Sequence, residues 1–273
     1  MATFEELSVE ERIALLSRRY SNEAGVYERR WAPGLREAGE ELLDHLDLAG
    51  TEALLDVGAG VGALLASMRE RATEAFIVGS DRAEGMLSLA SRSFGLVVGD
   101  LTGLPFTDSA FDAVTMNFVL FHLQDPVDGL SEAHRVLRRG GRAGATTWGD
   151  EETWPVREVW GEELDRFGAA PVEGLFSLHE LVDTPEKMSM HMRDAGLGEV
   201  EAWIGKLRQR WGVEEYIEFA TGMAIPKLRF DSLDPESRPR LLEAVTGRLE
   251  ELSGDDMLQT SEVVYSIGTK VRN

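Results

Sequence analysis

The sequence contains no cysteine. Disulfides, thiolate zinc sites and cysteine nucleophiles are therefore excluded. Basic residues are scarce, 28 Lys and Arg against 49 Asp and Glu, for a formal charge of −21. A nucleic-acid groove draws its affinity from cationic side chains, so no nucleic-acid partner is expected, and a well-solvated acidic surface accounts for the excess. No apolar run approaches the roughly 20 residues of a membrane span. The acidic start, Met1 to Glu11, lacks the basic and apolar blocks of a secretory signal, and a cytoplasmic protein is expected. Five histidines are present, and none pairs with carboxylates at zinc or facial-triad spacing, so no metal is expected. Repeats and low-complexity tracts are also missing. At 273 residues the chain can bury one full core, and a single domain is expected: 1–50 as N-terminal helices and lid, 51–149 as a cofactor-binding core, 150–273 as substrate-side elements.

What is present centres on Ala53 to Leu65, where an apolar run meets Gly58, Gly60 and Gly62 and then helix formers resume. This reads as strand, tight turn, helix, with a Cβ-free bend that lets a ligand approach the backbone. Alone, the bend fits a plain tight turn, and it also fits the G-x-G-x-x-G/A fingerprint of dinucleotide binding. Asp56 at the strand's end is expected to face the crevice, where it would repel a pyrophosphate. The next two apolar runs end at Asp81 and Asp100. In an open parallel sheet ligands bind outside the carboxyl ends of the strands, so three successive strands are expected to aim an acid at one crevice. Asp81 would accept hydrogen bonds from a ribose diol there.

Leu55-Asp56-Val57-Gly58-Ala59-Gly60-Val61-Gly62, Gly79-Ser80-Asp81-Arg82-Ala83-Glu84-Gly85-Met86-Leu87, Gly99-Asp100-Leu101-Thr102-Gly103-Leu104-Pro105-Phe106, Ser109 to Val114 and Glu132 to Arg142 follow one another in an order and spacing that resemble a known family. It is the S-adenosylmethionine-dependent methyltransferases with a Rossmann-like fold, within the ubiquinone/menaquinone-biosynthesis-like group. The resemblance implies an α/β, doubly wound, mostly parallel seven-stranded sheet whose last strand is antiparallel. It implies S-adenosyl-L-methionine as cofactor and S-adenosyl-L-homocysteine as product. By the same resemblance Tyr20 and Tyr27 belong to a lid over the cofactor, Gly58, Ala59 and Gly60 pass close to its methionine portion, and Met86 packs on the adenine. Asp100 accepts from the adenine amino group, the Leu101 backbone meets the ring edge, and the Asn117 carbonyl takes a hydrogen bond from the ammonium. Arg82 departs from the apolar residue of relatives; it would stack on the adenine or point to solvent. The N–H groups of the bend could receive the methionine carboxylate.

Helices are expected over 8–19, capped by Ser8 and Glu11, over 35–46, and over 84–91. The fourth strand is placed at Phe111 to Asn117, followed by a helix from Pro126 that Gly140 and Gly141 stop, and a fifth strand from Arg142 to Trp148. Beyond that come helices over 156–167, 185–196, 213–223 and 238–252, and strands over 199–204 and 263–267. A helical insertion of about forty residues thus separates the last two strands. His122 is the candidate general base should an acceptor need to lose a proton, and a packed core histidine is the competing reading. His134 reads as structural, while His179 and His191 could line an acceptor pocket. Trp148, Trp154, Trp160, Phe176, Trp203, Trp211 and Phe219 suit a hydrophobic or aromatic small-molecule acceptor, or a core. A non-catalytic cofactor-binding sensor and, less favoured, a nicotinamide-dependent oxidoreductase remain open from the sequence.

Overall fold

The structure, a computed structural model, describes residues 8–150, 153–172 and 178–271. The acidic start before Ser8, and Phe176, lie outside the described residues. At the N-terminus Ser8 and Glu11 form the expected reciprocal cap, Ser8 N–H donating to Glu11 Oε2 at 2.8 Å and Glu11 N–H to Ser8 Oγ at 3.3 Å. Helix α1 (Val9–Val26) runs past its expected end, because nothing in Arg19 to Val26 interrupts it. It passes into a π-helical turn (Tyr27–Trp31) and directly into α2 (Ala32–Leu46), where Pro33 sits in the first turn and its missing N–H is not needed. The N-terminal segment is thus one helical arm with an extra residue inserted at its middle, a device often found at functional sites.

The sheet follows the order β3-β2-β1-β4-β5-β7-β6. Its strands are β1 (Ala53–Val57), β2 (Phe76–Asp81), β3 (Gly95–Val98), β4 (Phe111–Asn117), β5 (Leu137–Trp148), β6 (Gly198–Arg210) and β7 (Leu258–Thr269). The first five are mutually parallel, and β7 runs antiparallel to both β5 and β6, as expected. β1 pairs with β2 on one side and β4 on the other, so the strand order reverses there and a crevice opens beyond its carboxyl end. Between the strands lie α3 (Leu65–Arg71), α4 (Glu84–Leu87), α5 (Pro126–Val136), α6 (Pro155–Arg166) and α7 (Pro185–Asp194), and then α8 (Val213–Gly222), α9 (Ala224–Asp231) and α10 (Ser237–Glu250) fill the insertion.

Several boundaries differ from expectation. The crossover helix after Asp81 is only the single turn of α4. Gly140 and Gly141 do not stop α5: Leu137 already takes extended geometry, and β5 runs through the glycines, with Gly140 N–H held by Lys270 O at 2.7 Å. β6 and β7 extend well beyond their apolar centres, because each protects the other's charged and polar ends in a long hairpin. α9 follows α8 after a break at Met223 that the apolar pattern did not mark.

Two hydrophobic cores result. One fills both faces of the sheet, with Leu42, Leu54, Leu55, Met116, Leu130 and Val264 fully buried. The other is aromatic and lies among α6, α8, α9 and α10, around Trp160, Tyr216, Leu241 and Val245. Tyr27 and Trp31 of the π turn pack against both. No helix among the described residues is long and apolar enough to cross a membrane.

Candidate cofactor crevice and adjoining chambers

β1 ends at Val57 and the chain turns back on itself through glycines. Gly58 takes φ +73° and Gly60 φ +55°, conformations that side chains other than glycine rarely adopt. A Cβ on Gly58 would lie 2.7 Å from Val119, and one on Gly60 would reach 3.3 Å from Met86 Cε and 3.8 Å from Tyr27. The bend is therefore the bare floor of a cavity whose other walls are Met86, Leu101, Tyr27 and Tyr20. Asp81, Arg82, Asn117 and His122 also line it. The structure thus gathers Tyr20, Tyr27, Gly58, Gly60, Asp81, Arg82, Met86, Leu101, Asn117 and His122 around one space.

Ala59 and Asp100 stand outside that lining. Ala59 is buried, its N–H donated to Ser80 O at 3.0 Å. Asp100 is at the rim, where Arg82 Nη2 approaches it at 2.6 Å and Thr102 N–H donates to it at 2.8 Å. Burial alone would raise the Asp100 pKa, but the Thr102 donors and Arg82 hold it below the ordinary carboxylate range. Arg82 therefore neither stacks over the crevice nor points to solvent; an ion pair with the neighbouring strand end fixes it.

Two expectations about the bend are corrected. Asp56 does not face the crevice: it is 2% exposed and accepts from Thr115 Oγ1 at 2.7 Å, because the adjacent register of β1 and β4 sets the two side chains against each other. Burial pushes its carboxyl up to about 7. Of the acids ending the first three strands, only Asp81 lines the cavity. The N–H groups of the bend are also engaged inside the protein. Gly58 and Ala59 donate to Ser80 O, Gly62 to Ala59 O, and Gly60 to Asp81 Oδ2 at 2.7 Å. Asp81 Oδ1 accepts from Ala83 N–H at 2.8 Å, so this carboxylate clamps the bend to the start of α4. Burial raises its pKa while the Ala83 and Gly60 donors pull the other way.

Asn117 ends β4 with its side chain tied down, donating to Leu35 O at 3.1 Å and accepting from Thr146 Oγ1 at 2.5 Å. This anchors α2 to the crevice. Tyr20 Oη lies 3.1 Å from His122 Nε2, and the two rings meet edge to face. Burial pushes the Tyr20 hydroxyl up to about 12, so it keeps its proton throughout the physiological range. Ser21 Oγ accepts from Gly85 N–H at 3.2 Å, so the arm touches the crevice at two points. At about 110 Å³ the enclosed space is below the roughly 300–1,000 Å³ of ordinary ligand pockets.

Two further chambers lead away. A middle one of about 160 Å³ shares Tyr20, Tyr27, Phe118 and His122 with the crevice and adds Arg19, Glu23 and Phe121. An outer one of about 430 Å³ shares Trp31, Trp148, His179 and Ile225 with the middle one and reaches Trp154, Trp160, Tyr216 and Phe219. Trp203 and Trp211 line neither; Trp203 stacks on Tyr265 at 5.1 Å, and Trp211 donates to Gln259 Oε1 at 3.0 Å. His191 bonds Leu181 O, and His134 sits against Gly196, away from the chambers. Sequence reasoning missed Glu23. It is 8% exposed, paired with Arg19 at 3.2 Å, and its carboxylate accepts the N–H of Ala224 across the chamber. A signal existed in the i, i+4 spacing of Arg19 and Glu23. Among the described residues no group of three or more His, Asp or Glu side chains is placed to hold a metal ion.

Residues 55–144 match the family model described as a methyltransferase domain, and the sheet carries the Rossmann-like order of that class. The chain is similar to S-adenosylmethionine-dependent methyltransferases of the menaquinone/ubiquinone type. The demethylmenaquinone methyltransferase of Beutenbergia cavernae is 33% identical over 148 residues, covering 53% of this chain and 61% of that protein. That of Deinococcus radiodurans is 38% identical over 142 residues, covering 50% and 55%. The chain thus matches little more than half the length of these relatives, and the family model ends before α6 and the helices of the insertion. Among solved structures, the YcgJ protein of Bacillus subtilis superposes with a TM-score of 0.56 at 17% identity, covering 87% of this chain and all of that one. Phosphoethanolamine N-methyltransferase 2 of Haemonchus contortus, solved with S-adenosyl-L-methionine, gives 0.56 at 15% identity over 97% of this chain and 60% of that one. These likenesses establish the fold.

Proposed function

We propose that the protein transfers a methyl group from S-adenosyl-L-methionine to a small apolar or aromatic acceptor, as one domain in which the lid and insertion close over the cofactor core. The observation that carries this reading is the junction of two unlike spaces. A glycine-floored crevice with one acid and apolar walls opens, past the Tyr20–His122 pair, into aromatic chambers. Met86 and Leu101 suit the faces of a purine, and the free lone pairs of Asp81 suit a ribose diol. A dinucleotide fits less well, since the N–H groups a pyrophosphate would need are engaged by Ser80, Ala59 and Asp81.

The bound cofactor supplies a methyl group already activated by a positive sulfur. The chain's part is to position and to exclude water. Closure of α1 buries the crevice under Tyr20 and Tyr27. His122, fixed by Tyr20, stands between the crevice and the middle chamber, where its imidazole can take a proton from an acceptor hydroxyl. The names of the relatives support a quinol-type acceptor as the first to try. The cytoplasmic location expected from the sequence belongs to the same proposal.

Two measurements test it. Calorimetric titration should give binding of S-adenosyl-L-methionine and S-adenosyl-L-homocysteine in preference to NADH, and the reverse order sinks the reading. Labelled methyl transfer to 1,4-naphthohydroquinone should fall at least tenfold in His122→Ala with cofactor affinity kept.

A further inference from the structure

The two edges of the sheet are unlike. At one, β3 is four residues long, and so short an edge offers little to a second chain. At the other, β6 runs 13 residues without a proline, and no described strand pairs with its outer side. A row of main-chain donors and acceptors of that length is a template for a further strand. The exposed side chains of β6 are also sorted by sign. Glu199 and Glu201 stand at its start, Lys206, Arg208 and Arg210 at its end, and Ile204, 50% exposed, lies between them. Lys206 faces Glu262 across the hairpin and Arg210 bonds Gly254 O. Glu199, Glu201 and Arg208 make no ion pair or side-chain hydrogen bond among the described residues.

We propose that the protein is a homodimer in which a second copy of this chain adds its β6 antiparallel to the first, joining the two sheets through a two-fold axis at Ile204. The charges fit this occupant. Antiparallel pairing brings the basic end of each β6 to the acidic end of the other, whereas parallel pairing would set like against like. On the axis Ile204 meets the partner's Ile204, which covers the exposed apolar residue of the strand's middle. Centred there, the shared ladder runs from Glu201 to Leu207, and it stops where the pairing of β6 with β7 is already irregular, between Gly198 and Glu201. Arg208 then lies beside the partner's Glu201. The net charge of −21 opposes self-association at long range, but screening over about 8 Å at physiological salt leaves the local contacts to decide.

Neither cofactor nor turnover enters the experiment, so it fails independently of the methyl-transfer reading. Sedimentation equilibrium of the full chain should give a monomer–dimer equilibrium, and amide exchange over Glu201 to Leu207 should slow as concentration rises. Arg208→Glu and Glu201→Arg, both at exposed positions, should each weaken the dimer at least about tenfold, because each sets like charges together twice per dimer. Ile204→Lys, which puts two cations on the axis, should weaken it as much. An equimolar mixture of Arg208→Glu with Glu201→Arg should regain wild-type association, since each variant supplies the sign the other lacks at both ends. A surface in which the two ends of β6 do not meet gives no such rescue. Thermal unfolding of the dilute variants matching that of the dilute wild type certifies folding. A monomer at about 100 μM, a dimer indifferent to all three substitutions, or a mixture no better than its components overturns the proposal.

Discussion

The cofactor half and the helical insertion shape their cavities by opposite means. Around the crevice the residues are small and the backbone makes the shape: Gly58 and Gly60 set the floor, and Asp81 holds it through two main-chain N–H groups. In α6 and the insertion the backbone is ordinary helix and the side chains make the shape. Trp154, Trp160, Trp211, Tyr216 and Phe219 meet edge to face or stacked, with centroids 5.0 to 6.4 Å apart. A backbone-built site tolerates little change in sequence, while a side-chain-built chamber can be reshaped one ring at a time. The family model accordingly matches over 55–144 and does not extend into the aromatic helices.

The N-terminal helical arm joins the two. On the crevice side Tyr20 meets His122 and Ser21 meets Gly85. On the insertion side Arg29 and Arg30 pair with Glu218 at 2.6 and 2.5 Å, and Glu23 holds Ala224. Ala224, at φ +61°, is strained for a residue with a side chain, and the contact from Glu23 helps keep it there.

The contrast can be broken at four points, in descending order of effect. Leu241→Ala, fully buried in the aromatic core, should destabilise the protein by about 2–5 kcal/mol in denaturant unfolding. Affinity for S-adenosyl-L-methionine should stay within twofold, and its parallel loss would show that the two cores are not separable. Gly58→Ala places a methyl 2.7 Å from Val119 at a left-handed φ, and should lower cofactor affinity by roughly a hundredfold, about 2.7 kcal/mol. An unchanged affinity by calorimetry would refute the backbone-built site.

The third point is pH. Asp56 is raised from 3.8 to about 7 by burial, so the folded protein holds a proton that the unfolded chain has released. Its contribution to stability is fully present below about pH 4 and is lost as pH rises through 7. At about 1.4 kcal/mol per unit the change amounts to a few kcal/mol. The difference between wild type and Asp56→Asn in unfolding free energy should therefore slope between pH 4 and 7; a flat difference contradicts the burial argument. The smallest effect is expected from Arg82→Ala. Its pair with Asp100 is partly exposed and is worth no more than about 1 kcal/mol in stability. The Asp100 pKa, followed by NMR, should nevertheless rise toward its ordinary value.

Much of the first half was legible in advance. Strand β4 has the expected ends, and the Ser8 cap and the glycine bend are where the motifs placed them. Local patterns carry these features: a run of apolar residues, a cap spacing, a backbone without side chains. What escaped depends on partners distant in sequence. The continuous arm through Tyr27 and Trp31 is stabilised by two cores at once, and the outer halves of β6 and β7 are strands only because each pairs with the other. Asp56 looked like a crevice residue because its place in the strand was visible and the neighbouring Thr115 was not.

The sequence by itself determined the order of strands and helices, the bend and the acid that ends β2, because these follow from short-range periodicity and from what glycine permits. Only the tertiary structure decided which acid reaches the cavity, that the bend's N–H groups face inward, and that Tyr20 meets His122. Those outcomes depend on which strand lies beside which, and pairings between residues tens of positions apart leave no periodic trace along the chain.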